Sequence, residues 1–215
     1  MRAVIVYESM FGATKKVAEA IAEGLAECAE VSVVPVTSAG AHILDGADLV
    51  VVGGPTHTHG MSRPGTRKMA GKQAGKPGSE VELVPGAVSG PGVREWLASL
   101  GRLEVAGAAF DTRLQGLPAF TGRASKSIRR LLAHHGARIA ASPESFLVEG
   151  LAPDRLGWIA GCHDGISVNR TTTWPPRGVP PPKCLSLVTS APCSVRPTVS
   201  RPSSWIRTQR PSGHL

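Results

Sequence analysis

The chain has 215 residues, is 41% hydrophobic and 19% charged, and carries a formal net charge of +8. That length accommodates one α/β domain with a full core, or one domain followed by a tail. No apolar run reaches the roughly 20 residues of a membrane span, which argues against membrane insertion.

Four cysteines (Cys28, Cys162, Cys184 and Cys193) form no CxxC pair and have no histidine at metal-ligand spacing, so they support neither a zinc site nor a disulfide framework. The basic excess is unevenly spread. From Cys162 onward there are seven Arg/Lys and one Asp, which leaves a net charge of only +2 on residues 1–161. The basic region has neither helical periodicity nor aromatic organisation, and this argues against a nucleic-acid partner.

In chain order, Arg2 to Tyr7 is short, β-branched and apolar on both faces, the pattern of a central parallel strand. Its apolar run stops at Glu8, so it reads as a strand rather than a signal peptide, with a cytoplasmic location as the default. A turn follows, Ser9-Met10-Phe11-Gly12-Ala13-Thr14, and opens a helix. Val17, Ala18, Ile21, Ala22, Leu25 and Cys28 share one stripe of that helix, and Lys15, Lys16, Glu19 and Glu23 lie on the other side. A Ser/Gly/Thr turn at a helix N-terminus gathers backbone N–H groups and hydroxyls where the helix dipole favours an anion, so the unit is expected to bind a phosphate.

A second strand is expected at Val31 to Val36, a weak helical stretch at Ala39 to Leu44, and a third, fully buried strand at Leu49 to Gly53. The chain leaves that strand through Gly53-Gly54-Pro55-Thr56-His57-Thr58-His59-Gly60-Met61. Met61 to Gly92 is rich in Gly, Pro and Lys. With no useful period between Lys68 and Pro91, it reads as a loop beside the ligand site. A short helix at Val93 to Leu100 precedes a fourth strand, Val105 to Phe110, which runs into a loop beginning Asp111-Thr112-Arg113. The helix Ala124 to His135 places Ile128, Leu131, Leu132 and His135 on one stripe and ends at Gly136. A fifth strand at Arg138 to Ala141 extends through Ser145 to Val148. Strands alternating with helices in this way predict a parallel sheet with right-handed crossovers. A short helix is expected at Asp154 to Ala160. Nine prolines in the last 54 residues and almost no acidic side chains predict a disordered tail over 162–215, after a domain spanning 1–161.

The run Ile5 to Ile21 resembles the flavodoxin signature. It has Ile5, Val6 and Tyr7, then Ser9, Gly12, Thr14, Ala18 and Ile21 in register. The resemblance implies an α/β, flavodoxin-like, open doubly wound parallel sheet of five strands in the order 2-1-3-4-5. It also implies flavin mononucleotide (FMN) at the switch between the first and third strands; flavodoxin is itself a standing example of that placement rule. Ser9, Met10, Phe11, Gly12, Ala13 and Thr14 would then hold the phosphate, with Ala13 standing where the family often has Asn. The loop after the third strand is similar to the family's Gly-x-Pro-Thr-x-x-x-Gly, which would lay Pro55, Thr56, His57, Thr58, His59 and Gly60 along the isoalloxazine ring.

No Trp or Tyr is present in that loop to stack on the ring. His57 and His59 can be flavin contacts or solvated side chains, and as a His-x-His pair they have no third metal ligand nearby in sequence. Asp111, Thr112 and Arg113 form the third loop of the site. Asp111 and Arg113 touch the polar edge of the ring or form a surface ion pair. His134 and His135 read as structural, at a helix C-terminus where positive charge is favourable.

The implied function is FMN-binding redox chemistry: electron transfer with a redox partner protein, or NAD(P)H-linked reduction of a small acceptor such as a quinone. Dedicated carriers in the family tend to be acidic, and this chain is not. The alternative is a flavin-free remnant or interaction protein that keeps only the fold. An incompletely covered sheet face would then drive homodimerisation.

Overall fold

A computed structural model describes residues 1–79, 81–114 and 122–148. The helix expected at Asp154 to Ala160 and the tail from 162 lie outside the described residues. The ordered elements are β1 (Arg2–Tyr7), α1 (Ala13–Ala26), β2 (Glu30–Pro35), β3 (Leu49–His57), β4 (Gly60–Met61), α2 (Pro64–Ala74), α3 (Val93–Ser99), β5 (Ala106–Leu114), α4 (Ala124–His134), β6 (Arg138–Ile139) and β7 (Glu144–Val148). Two 3-10 turns, Val36–Ser38 and Ala41–Leu44, replace the weak helix expected after β2.

The sheet runs β2-β1-β3-β5-β6 with β7 also on β5, and every one of these pairings is parallel. β6 pairs with Ala106 and Gly107, and β7 pairs with Phe110 to Leu114, so the two short pieces together form the fifth column. This is the flavodoxin-like order 2-1-3-4-5.

Period-two alternation divides the core between the two faces. Ala3, Ile5, Tyr7, Val51 and Phe110 pack with Val17, Ala18 and Leu25 of α1. Val4, Val6, Val50 and Val52 pack with Trp96 and Leu97 of α3 and with Ile128 and Leu132 of α4. β1 is fully buried from Ala3 to Val6 because helices cover both of its sides.

Two sequence expectations need correction. The stretch read as a loop from Met61 to Gly92 contains a helix, α2. It starts at Pro64, which suits a first helical position. Thr66 closes its first turn, accepting from Arg63 N–H at 2.9 Å and donating to Arg63 C=O at 3.0 Å. Its one buried side chain is Arg67. A helix anchored by a cation has no apolar stripe for periodicity to detect. The second correction concerns Asp111, Thr112 and Arg113. They continue β5, paired across to β3 and β7, and do not form a loop. Among the described residues no helix is long and apolar enough to cross a membrane.

Candidate functional site

β1, β3 and β5 all end at the same side of the sheet, and their carboxyl ends bring the three predicted segments together. β1 delivers Ser9 to Thr14 at the start of α1. Ser9, Met10 and Thr14 are buried, whereas Phe11, Gly12 and Ala13 are half-exposed. Gly12 precedes the helix with φ at 94°, a left-handed conformation that glycine adopts at no steric cost. This turn aims Gly12 N–H at Ser9 Oγ (3.1 Å), and Lys15 N–H reaches the same oxygen at 3.4 Å. Two amides therefore converge on one oxygen at the N-terminus of α1. The first turn of α1 contains no acidic residue.

Thr14 also points inward. Its Oγ1 lies 2.8 Å from Thr112 Oγ1, both groups buried, which ties the first turn of α1 to the end of β5 across the intervening β3. The loop after α2 returns to this region, where Val84 N–H donates to Met10 C=O at 2.9 Å.

The second segment is a tight hairpin. Pro55, Thr56 and His57 still belong to β3, and β4 pairs back antiparallel, Thr56 with Met61 and His57 with Gly60. Thr58 (φ 44°) and His59 (φ 74°) make the turn, both left-handed, as a two-residue hairpin loop demands. A β-branched Thr in that conformation is strained, so neighbouring structure must hold the tip. Gly122 supplies part of that hold. It bridges to His59, and its α-carbon lies so close to the His59 backbone that no side chain fits there. Thr58 and His59 are exposed and His57 is half-buried. Burial, and then the nearby Arg67, push the His57 imidazole below its ordinary value, so it is neutral at neutral pH.

The third segment departs from one of its two readings. Asp111 is fully buried and Arg113 is 9% exposed, so the surface ion pair is excluded. Asp111 Oδ2 accepts the Ser125 N–H at 2.6 Å, and Thr56 Oγ1 accepts the Ala124 N–H at 3.0 Å. Together they cap α4 from two neighbouring strands. Thr112, pointing to the opposite face, bonds to Thr14 as described.

A polar cluster beside these segments escaped the sequence reading. Glu8, 4% exposed, accepts Val93 N–H at 2.8 Å and so caps α3 from the end of β1. Arg67 Nη1 donates to Ser62 Oγ (3.1 Å) and to Glu95 Oε2 (3.0 Å), and Glu8 lies beside them. Gly92 leaves room for the cluster: a Cβ there would stand 2.5 Å from Arg67 Nη1 and 2.8 Å from Glu8 Oε2. Burial raises the Glu8 carboxyl above its usual range, opposed by Ser62, the Val93 amide and Arg67. The signal available in the sequence was a carboxylate placed directly after a run of buried strand residues.

An oxygen acceptor fits between the Gly12 and Lys15 amides because Ser9 Oγ already occupies such a position. The turn's chemistry therefore suits an anionic oxygen such as that of a phosphate. Among the described residues no group of three His, Cys, Asp or Glu side chains is placed to hold a metal ion.

The family model of the flavodoxin domain matches residues 4–70. Together with the strand order, that match makes the chain flavodoxin-like. No curated protein matches it. Among solved structures, oxidised flavodoxin 1 from Bacillus cereus is 19% identical with a TM-score of 0.49, covering 74% of this chain and 95% of that one. Oxidised flavodoxin 2 from the same organism is 19% identical at a TM-score of 0.49, covering 76% and 94%. A flavodoxin from the domain Archaea is 22% identical at a TM-score of 0.47, covering 74% and 90%.

Proposed function

We propose that this chain binds FMN at the carboxyl ends of β1, β3 and β5 and works as a cytoplasmic redox protein. The observation that carries the reading is the convergence of the Gly12 and Lys15 amides on Ser9 Oγ at the start of α1, at the switch point of a parallel sheet. Because Ser9 Oγ accepts both amides, its own O–H is left to donate to a phosphate oxygen, and the helix dipole adds to the attraction. The bound flavin would supply the electron-accepting and electron-donating chemistry.

The protein's residues hold and orient. The Thr14–Thr112 pair fixes the distance between the phosphate turn and β5. The hairpin from His57 to Gly60 borders the place where the ring would lie, and a neutral His57 can donate one hydrogen bond through a ring N–H. With no aromatic side chain in that hairpin, one ring face is left for a small acceptor. This favours NAD(P)H-linked reduction of a quinone-like substrate over a pure carrier role.

One observation supports the flavin-free alternative. A turn whose amides are satisfied by Ser9 keeps its shape without an anion, and Ala13 adds no side-chain contact. The purified protein's visible spectrum separates the two readings. A yellow protein that releases FMN on denaturation, or takes up added FMN, is expected; a colourless protein that ignores added FMN overturns the proposal. For the flavin-loaded protein, NAD(P)H oxidation with a quinone and no added reductase is expected.

A further inference from the structure

The helical layer over the α3/α4 face is charged on one side only. Along α2 and just beyond it, the exposed side chains include Arg63, Lys68, Lys72 and Lys76, and α2 contains no acidic residue. Along α4 the exposed stripe is Lys126, Arg129 and Arg130, and α4 likewise contains no acidic residue. Lys68, Lys72, Lys126, Arg129 and Arg130 make no ion pair with any described residue; the ion pairs between described residues include Lys15–Glu19, His42–Asp45 and the inner Arg67–Glu95. α1, on the opposite face, is different. Its exposed lysines, Lys15 and Lys16, are interspersed with Glu19 and Glu23, and Glu27 and Glu30 follow it. Unpaired cations pay no stability cost for separation from a local partner, and they remain free for an external one.

Position gives this patch its meaning. Both cationic helices are fixed to the same hairpin. α2 begins three residues after β4, and α4 packs on β4 while its first amide is capped by Thr56 of β3. Gly122, just before α4, bridges to His59 at the hairpin tip. Lys68 and Lys126 lie within the first two turns of their helices, at the ends nearer the hairpin.

We infer that the outer faces of α2 and α4 form a docking surface for an acidic protein partner, seated beside the mouth of the candidate site. The purpose of the surface rests on the redox reading, since it would hold a protein electron donor or acceptor beside the ring, in addition to the small acceptor. Its chemistry does not rest on that reading. Two short stripes on separate helices suit a folded or extended acidic polypeptide rather than the continuous phosphate track of a duplex, along which a basic groove would run.

The test uses the full chain and poly-L-glutamate as the probe, with duplex DNA in parallel, at low and moderate ionic strength. Wild type is expected to bind poly-L-glutamate with an affinity that falls as salt rises. The combined K68E, K72E, R129E and R130E variant is expected to lose at least about tenfold. Because these side chains are exposed, thermal melting should be unchanged and will show that the variant is folded. A variant carrying R201E and R207E, outside the described residues, should bind as wild type does. The inference is overturned if the four-site variant binds normally, if R201E and R207E abolish binding instead, or if DNA binds more tightly than poly-L-glutamate. Flavin is not needed in this assay, so its failure is distinguishable from failure of the FMN reading.

Discussion

Adjacent glycines at the end of β3 show how differently neighbouring positions are constrained. A Cβ on Gly53 would sink into the Phe110 ring, whereas one on Gly54 would meet Val93, Glu8 and Ile128 at ordinary van der Waals distances of 3.8–4.0 Å. Phe110 is 1% exposed and packs edge-on against Phe146 with centroids 6.0 Å apart, so it cannot yield. Gly53→Ala is therefore expected to cost about 1–3 kcal/mol through overpacking, and Gly54→Ala to stay within about 0.5 kcal/mol of wild type. Urea melts of the two variants would check the contrast, and equal costs would contradict the packing described. In the pattern Gly-x-Pro-Thr, Gly53 is the Gly and Gly54 the x, but the pattern does not give the reason. The difference lies in Phe110, whose register opposite Gly53 is a property of the pairing between β3 and β5.

At the scale of elements, α4 depends on side chains supplied by the sheet. Its own flanking residue, Arg123, makes no side-chain cap, and Thr56 and Asp111 take over that role. Asp111→Ala would leave the Ser125 N–H without its acceptor in a buried place, at an expected cost of about 1–3 kcal/mol. Amide hydrogen exchange should show the loss first at the start of α4. If Asp111 served the flavin alone, the variant would change FMN affinity and leave that exchange untouched.

The helices with a clear apolar stripe, α1 and α4, were legible in the sequence to within a residue or two, as was β1, whereas β3 and β5 run past their expected ends at Gly53 and Phe110 to His57 and Leu114. α2 was not, because its inward group is Arg67 and its outer face carries Lys68, Met69 and Lys72. The turn between β1 and α1 was legible because Ser9, Gly12 and Thr14 have local reasons to be there. The role of Asp111 was not, since its partner is an amide 14 residues further along the chain. The Glu8 cluster joins positions 8, 62, 67 and 95, and no local pattern connects them.

For the molecule as a whole, the Glu8 cluster gives stability a pH dependence. Burial raises the Glu8 carboxyl above the usual carboxylate range, so the folded chain holds this proton more tightly than the unfolded chain does. Its contribution is complete below the ordinary glutamate pKa and is lost as the pH rises through the raised folded value. Glu8→Gln removes the titration and keeps an oxygen to accept the Val93 amide. The difference in Tm between variant and wild type should therefore grow in the variant's favour from acid to neutral pH. A difference that is constant, or that moves the other way, would mean that Arg67 and Ser62 outweigh burial.

The hydroxyl contact between Thr14 and Thr112 has a consequence for descent. Valine at either position alone would strand a buried oxygen, a loss of about 1–3 kcal/mol, whereas valine at both would leave two methyl groups in its place. Any lineage that abandons this contact has to cross the costly single change or make both changes at once. The two sites, 98 residues apart, are bound to be inherited as a couple.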